Sequence, residues 1–322
     1  MAKIVASSPG KGILHGEHAV VYGKSAVAMS VDLRTRTTVE PINKNVVELH
    51  LPDLQTSSEW FIEDIMRIPV TSNEEIEDAV KVSEALKHLQ TVLNVQVPCC
   101  TDAKQQSIYA FLFLYIEISR KYRGGNFPSV KVTVTSELPM GAGLGSSAAF
   151  AVSLSAAFLA FYGKLDKKTP LSQENLDEIS RFAFQAEIII HGKPSGIDNS
   201  ICTYGGALIF QAGKIKEFLP EVPPLKILLV NTRIPRNTRD LVASVRQRFD
   251  TCPAVIQPVL DAIDAISRQS WQLLKEMSNT NSLQKFIPLL KVKFQENILH
   301  LLKESLEQAE LEIFEAELGC NG

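Results

Sequence analysis

The chain lacks the features that would place it among secreted, membrane-spanning or nucleic-acid-binding proteins. Its five cysteines (Cys99, Cys100, Cys202, Cys252, Cys320) are an odd number, include no C-x-x-C pair, and lie far apart except for one adjacent couple. That pattern fits reduced thiols better than a disulfide framework. No secretory apolar segment follows Met1-Ala2-Lys3-Ile4-Val5. The longest apolar helical stretch, Ala148 to Phe161, is too short to cross a bilayer and carries Ser153 and Ser155. There is no excess of positive charge: a net charge of −3 gives no basic field for nucleic acid. With 45% apolar and 21% charged residues in 322, the chain can build a large core and two domains. These absences lead us to expect a soluble cytoplasmic protein with neither a nucleic-acid nor a membrane partner.

What the chain does have is concentrated in Glu137-Leu138-Pro139-Met140-Gly141-Ala142-Gly143-Leu144-Gly145-Ser146-Ser147-Ala148-Ala149. Before it, Val130, Val132 and Val134 alternate with polar residues, the period of a half-buried strand. After it, Ala148 to Phe161 contains no glycine or proline and predicts a buried helix. Glycine at every second position permits positive φ and close approach of a ligand to the backbone. A strand, a glycine turn and a helix N-terminus together aim N–H groups and the positive end of the helix at one spot, which suits phosphate. Ser146 and Ser147 can cap the helix, bond a phosphate, or bind a cation that accompanies it. The stretch is not a Walker loop, because no lysine follows the last glycine. A tight turn with serine caps would explain the same residues.

A second polar cluster lies near the start. Lys3 to Ser7 predicts a short strand, Pro9-Gly10 and Gly12 are turn signals, Ile13-Leu14 resumes an extended segment, and Gly16 breaks it. Lys11, Glu17 and His18 thus fall in or beside turns, where they could serve a polar ligand or be solvated. Val27 to Leu33 predicts a strand, residues 40 to 75 edge strands and loops around Val46 to Leu51, and Glu74 to Val92 and Ser107 to Tyr122 two helices. Gly124 is placed to end the second of these. Thr169-Pro170 is expected to open another helix with proline in its first turn. Glu187 falls near that helix's C-terminal end, where the dipole disfavours a carboxylate and a bound cation could offset the cost. Turn residues then bring Asp198 round, eleven residues on. Glu221-Val222-Pro223-Pro224 suggests a boundary between a first domain (1–222) and a second (223–322). In the second, Leu225 to Val230 predicts a strand; Asp240 to Phe249, Pro253 to Met277 and about Leu283 to Leu318 predict helices.

The run Pro139-Met140-Gly141-Ala142-Gly143-Leu144-Gly145-Ser146-Ser147-Ala148-Ala149 resembles the second motif of the galactokinase, homoserine kinase, mevalonate kinase and phosphomevalonate kinase superfamily. Pro9-Gly10-Lys11-Gly12-Ile13-Leu14-His15-Gly16-Glu17-His18-Ala19-Val20 resembles its first motif in the version of the mevalonate kinases. His191-Gly192-Lys193-Pro194-Ser195-Gly196-Ile197-Asp198-Asn199, followed by Tyr204-Gly205-Gly206-Ala207, resembles the acidic motif of the same family. The resemblance implies an α+β, two-domain small-molecule kinase fold. Its N-terminal ATP-binding α/β domain would be like the second domain of ribosomal protein S5, and its C-terminal domain incomplete and mostly helical.

It further implies ATP-dependent phosphorylation of mevalonate to 5-phosphomevalonate in isoprenoid and sterol biosynthesis. Ser136, Gly141, Ala142, Gly143, Leu144, Gly145, Ser146, Ser147 and Lys11 would bind ATP, and Ser147 and Glu187 would hold Mg²⁺. Asp198 would take the proton of the alcohol, with Lys11 beside it keeping it ionised, and Glu17, His18 and Thr238 would line the acceptor. Prenyl diphosphate inhibitors and a homodimer are partners the resemblance leaves open. Phosphomevalonate as acceptor is an alternative that the acidic motif argues against.

The likeness runs from residue 3 to about 277 and departs from the family in two places. Where the family has a nucleotide-contacting asparagine after Leu51-Pro52, this chain has Asp53, whose charge opposes phosphate. The family's third glycine-rich loop has no counterpart, because no glycine lies between Gly213 and Gly319. Residues 279–322 instead carry Glu304, Glu307, Glu310, Glu312, Glu315 and Glu317 in a pattern that predicts a charged amphipathic helix. A second reading of the chain, as a nucleotide-binding or regulatory form without turnover, follows from that missing loop.

Overall fold

The computed structural model describes residues 2–17, 19–68, 102–165, 170–192, 194–222, 225–231, 238–280 and 312–318; for 226–231, 238–244, 279–280 and 312–318 it describes the backbone alone. The helix expected at Glu74 to Val92 lies outside these residues, as do His18 and Lys193. The chain forms two compact units, each discontinuous in sequence. One comprises residues 1–10, 34–138 and 145–203; the other comprises 11–33, 139–144 and 204–322. Among the described residues no helix is long and apolar enough to cross a membrane.

The first unit sets helices beside a sheet. Strand β2 (Ala26–Pro41) contributes its second half, Thr35 to Pro41, antiparallel to β5 (Val130–Ser136). Next come β3 (Val46–Leu51), parallel to β5, and β4 (Thr56–Phe61), antiparallel to β3. β3 is therefore interior and only β4 ends the row, which corrects the expectation of edge strands here. Val47, Leu49 and Leu51 all point into the core, so this alternation belonged to a strand with neighbours on both sides. After the short α1 (Ile62–Met66), α2 (Ala103–Arg123) begins with the Asp102 side chain accepting from the Lys104 N–H and ends on Gly124 in the left-handed region. Both caps are expected of these residue types.

α3 (Ser146–Phe161) is apolar nearly all round and has eleven buried residues, as a helix surrounded by other elements should. Phe158 stacks among Phe111, Tyr115 and Tyr162 at centroid distances of 5.7 to 6.5 Å. Ser153 Oγ meets Thr37 Oγ1 of β2 at 2.8 Å, so the buried hydroxyls satisfy each other. α4 (Gln173–His191) begins at Ser172, whose hydroxyl accepts from the Asn175 N–H. The expected start at Thr169-Pro170 is thus corrected: a serine that caps outcompetes a proline that merely permits a helix.

In the second unit, β2's first half pairs antiparallel with β6 (Ala207–Gln211), and β6 forms a hairpin with β7 (Lys214–Leu219). β8 (Leu225–Asn231) pairs antiparallel with β9 (Glu312–Leu318), which meets β2 at Val31↔Leu318. The β6–β7 hairpin was not predicted, and β9 overturns the helix expected to run to Leu318. Phe314, Ala316 and Leu318 alternate with Glu315 and Glu317, a strand period that β8's need for a hydrogen-bonded neighbour decides.

β1 (Ile4–His15) also differs from expectation: it runs without a break through Pro9, Gly10 and Gly12 and pairs with β2. Proline is tolerated in a strand whose N–H side is unpaired, and neither glycine takes positive φ; Gly16 does, at +83°.

Helices α6 (Thr238–Thr251) and α7 (Pro253–Thr280) follow β8. Trp271, Leu273, Leu274 and Met277 of α7 pack with Leu14, Val27, Met29, Val31, Ala207 and Ile209, so this helix has its apolar partners within the unit. The same helix fixes the loop after Gly16. Lys24 Nζ meets Asp261 at 2.5 Å, and the buried Asp264 accepts the Ser25 N–H at 2.7 Å while pairing with Arg268. A Cβ on Gly16 would stand 2.1 Å from Ser25 O, so this close approach requires glycine.

Burial opposes ionisation of Asp264, but the Ser25 amide and hydroxyl and the Arg268 guanidinium outweigh it and hold the carboxyl below the ordinary value of 3.8. A lowered folded-state pKa gives stability that is present above the unfolded value and is lost as pH falls through the folded one. Asp264→Asn should therefore cost about 1–3 kcal/mol near neutral pH. It should also flatten the acid limb of a melting-temperature profile below about pH 4. A variant profile parallel to wild type through that limb would show that Asp264 is not the titrating group.

Candidate active site

β5 ends at Ser136, and the backbone there is fixed on three sides. The Ser136 N–H donates to Asp53 Oδ2 at 2.7 Å, Ser136 Oγ lies 2.7 Å from Thr35 Oγ1, and the same hydroxyl accepts from the Leu138 N–H. Asp53, whose charge opposes phosphate, thus anchors the strand end. The chain then enters the glycine loop with φ of +71° at Gly141, +75° at Gly143 and +71° at Gly145. A Cβ at Gly141 or Gly143 would meet no protein atom within 4 Å. The glycines are therefore required by backbone conformation, and the space above two of them is open to a ligand.

Residues 139–144 belong to the second unit and Gly145 onward to the first, and each part has its own partners. In the second unit the Lys11 N–H donates to Leu144 O at 2.9 Å, and Lys11 is only 6% exposed. Two segments more than a hundred residues apart in sequence, both singled out for polar chemistry, are thereby joined. Glu17 is exposed immediately after the Gly16 turn, in the loop that α7 holds. Thr238 is the first residue of α6, and His18 lies outside the described residues.

In the first unit, α3 starts at Gly145 without a side-chain cap and with no acidic residue in its first turn. Its dipole, unopposed by an acidic side chain, favours an anion at this end. Helix α5 (Ile197–Tyr204), not predicted from the sequence, packs against this helix start: Cys202 Sγ lies 3.9 Å from Gly145 O, and Ser8 Oγ donates to Cys202 O at 2.9 Å. Asp198 sits in the first turn of α5, half-buried, where the dipole favours a carboxylate. Its neighbour Asn199 donates to Ser180 Oγ of α4 at 3.0 Å and fixes the helix in place.

Glu187 is 2% exposed, on the last turn of α4. One turn on, His191 places Nε2 3.7 Å from Glu187 Oε2 and 3.0 Å from Ser147 Oγ. The structure thus brings Ser147 and Glu187 to the same imidazole nitrogen. His191 opens the acidic motif, whose resemblance implies no role for it. The signal that could have found it is its spacing four residues after Glu187 on one helix, which puts both on one face. Among the described residues no group of three or more His, Cys, Asp or Glu could hold a metal. A hydroxyl with one buried carboxylate could hold a divalent cation that brings phosphate oxygens and waters with it.

Residues 109–206 match the family model for the GHMP kinases N-terminal domain. Over 293 residues, 89% of this chain and 73% of the relative, the chain is 40% identical to mevalonate kinase of Homo sapiens. It is 35% identical to that of Dictyostelium discoideum over 314 residues, covering 93% of this chain and 77% of the relative. The chain belongs to the mevalonate kinase family. Solved structures agree on the fold. The mevalonate kinase of Methanococcus jannaschii superposes with a TM-score of 0.66 at 22% identity, covering 98% of both chains. That of L. major, in complex with R-mevalonate, gives 0.62 at 20% identity over 100% of this chain and 89% of its own. The mixed sheet-and-helix architecture expected of a two-domain small-molecule kinase is therefore the fold of this family.

Proposed function

We propose that the chain transfers the γ-phosphoryl group of ATP to the primary hydroxyl of mevalonate, giving 5-phosphomevalonate and ADP on the route to isoprenoids and sterols. The observation that carries this is family membership, established by 40% identity across 293 residues. Functionally, residues 1–222 form the ATP-binding part and 223–322 the C-terminal part. A new P–O bond forms to the mevalonate oxygen as the bond between the γ-phosphorus and the ADP oxygen breaks, and the hydroxyl proton passes to Asp198. Such transfer needs positioning and charge compensation rather than covalent chemistry.

The open, positive-φ backbone from Gly141 to Gly145 and the uncapped α3 start at Ser146 and Ser147 hold the nucleotide phosphates. Ser136 fixes the strand end that leads into them. Lys11, buried and bonded to the loop at Leu144, supplies positive charge to the transferring group. Ser147 and Glu187 hold Mg²⁺, which neutralises phosphate charge when bound. Glu17, His18 and Thr238 contact the acceptor. Reduced-thiol composition supports placing the enzyme in the cytoplasm.

Purified chain with ATP, Mg²⁺ and mevalonate should release ADP in a mevalonate-dependent manner, and phosphomevalonate should not replace the acceptor. ATP binding without mevalonate-dependent ADP would overturn the proposal.

A further inference from the structure

We infer that His191 is a positioning residue for the cation-binding hydroxyl: its Nε2 accepts the hydrogen of Ser147 and so turns the oxygen lone pairs of Ser147 toward the cation. The inference rests on reading Ser147 and Glu187 as ligands of the nucleotide-bound cation.

The geometry supports it on three counts. First, the Ser147 Oγ to His191 Nε2 separation of 3.0 Å is a hydrogen bond, whereas 3.7 Å to Glu187 Oε2 is too long for one. The ring nitrogen therefore meets the hydroxyl at hydrogen-bond distance and stands beside the carboxylate. Second, a serine hydroxyl has one hydrogen and two lone pairs. When the oxygen binds a cation its hydrogen must point elsewhere, and a neutral imidazole nitrogen within reach is the natural acceptor. Outer groups that orient ligands in this way typically matter about 10-fold or more in metal affinity. Third, His191 is held although its side chain is half exposed. The Gly192 N–H closes the helix on Ile188 O at 2.8 Å, and Gln106 of α2 donates to Ile190 O at 3.1 Å. The last turn of α4 is thus anchored on both sides of the histidine.

The test measures Mn²⁺ bound to the full chain in the presence of a non-hydrolysable ATP analogue, by electron paramagnetic resonance, for wild type, His191→Leu, His191→Gln, Ser147→Ala and the double variant Ser147→Ala/His191→Leu. The leucine variant should weaken Mn²⁺ binding by about 10-fold. Glutamine, whose carbonyl oxygen can also accept, should restore much of the loss, and the melting temperature should stay at the wild-type value. Removing His191 should add nothing once Ser147 is alanine. The KM for mevalonate should not change, while the KM for Mg·ATP rises. If Ser147→Ala weakens Mn²⁺ binding and His191→Leu does not, or if the two losses simply add, the inference is overturned while the ligand assignment stands. If Ser147→Ala leaves Mn²⁺ binding unchanged, the ligand assignment fails and takes the inference with it.

Discussion

Replacing Asp198 by asparagine should lower kcat by about 100-fold or more while leaving ATP binding intact, because a general base contributes roughly 10² to 10⁴ to proton transfer. The change keeps the side chain's shape at the start of α5 and removes only its ability to take a proton. α5 itself should survive: the Asn199 bond to Ser180, the Ser200 N–H to Gly196 O and the Ser195 hydroxyl receiving the Ile197 N–H do not involve residue 198. Asp198→Ala should fall at least as far. Nucleotide affinity from titration and kcat from steady-state assays separate the two effects. An asparagine variant with wild-type turnover would remove Asp198 from the chemistry.

Lys11→Met should lower kcat/KM by about 10² to 10³, the scale on which an enzyme loses a preorganised charge facing a transition state. Lys11 is 6% exposed, yet its backbone sits in β1 and bonds to the glycine loop at Leu144 O. Methionine keeps the unbranched side chain, and the Lys11 N–H bond to Leu144 O is a backbone bond that the change leaves in place. The expected signature is therefore an enzyme that still folds and binds ATP but hardly turns over. A variant within threefold of wild type would show that the buried ammonium serves the fold alone.

The parts of this molecule that the sequence revealed are those whose structure is local. The glycine loop, the mostly apolar α3, the alternating valines of β5 and the Gly124 cap each follow from residues within a dozen positions. The motif letters then assigned chemistry to Lys11, Ser147, Glu187 and Asp198. Structure created by distant pairing stayed hidden. Pro9-Gly10 and Gly12 look like turns, and only pairing with β2 draws them straight. Glu312 to Leu318 is rich in glutamate and looks helical, and only β8 makes it a strand. The β6–β7 hairpin turns on Ala212-Gly213, a weak signal, and Ala212 takes the left-handed conformation at φ +51° without being glycine. α5 is eight residues long and follows Gly196 directly, too short for periodicity to register. Asp198 was therefore singled out by its motif, whereas the helix that carries it was not predicted.

His191 illustrates the same boundary within the site. Its spacing from Glu187 was readable, but its 3.0 Å approach to Ser147 joins residues 44 apart in sequence. That contact depends on the packing of α3 against α4, a tertiary fact. Chemistry carried by one segment can be read before folding; chemistry shared between segments needs the fold.

The most direct test of the account is ³¹P NMR of the reaction mixture after incubating the purified chain with ATP, Mg²⁺ and mevalonate. The γ-phosphate resonance of ATP should decline as a phosphomonoester resonance coupled to the two protons of the mevalonate C5 methylene grows in equal amount. ATP signals that persist unchanged, or that give way to inorganic phosphate with no ester, would contradict it.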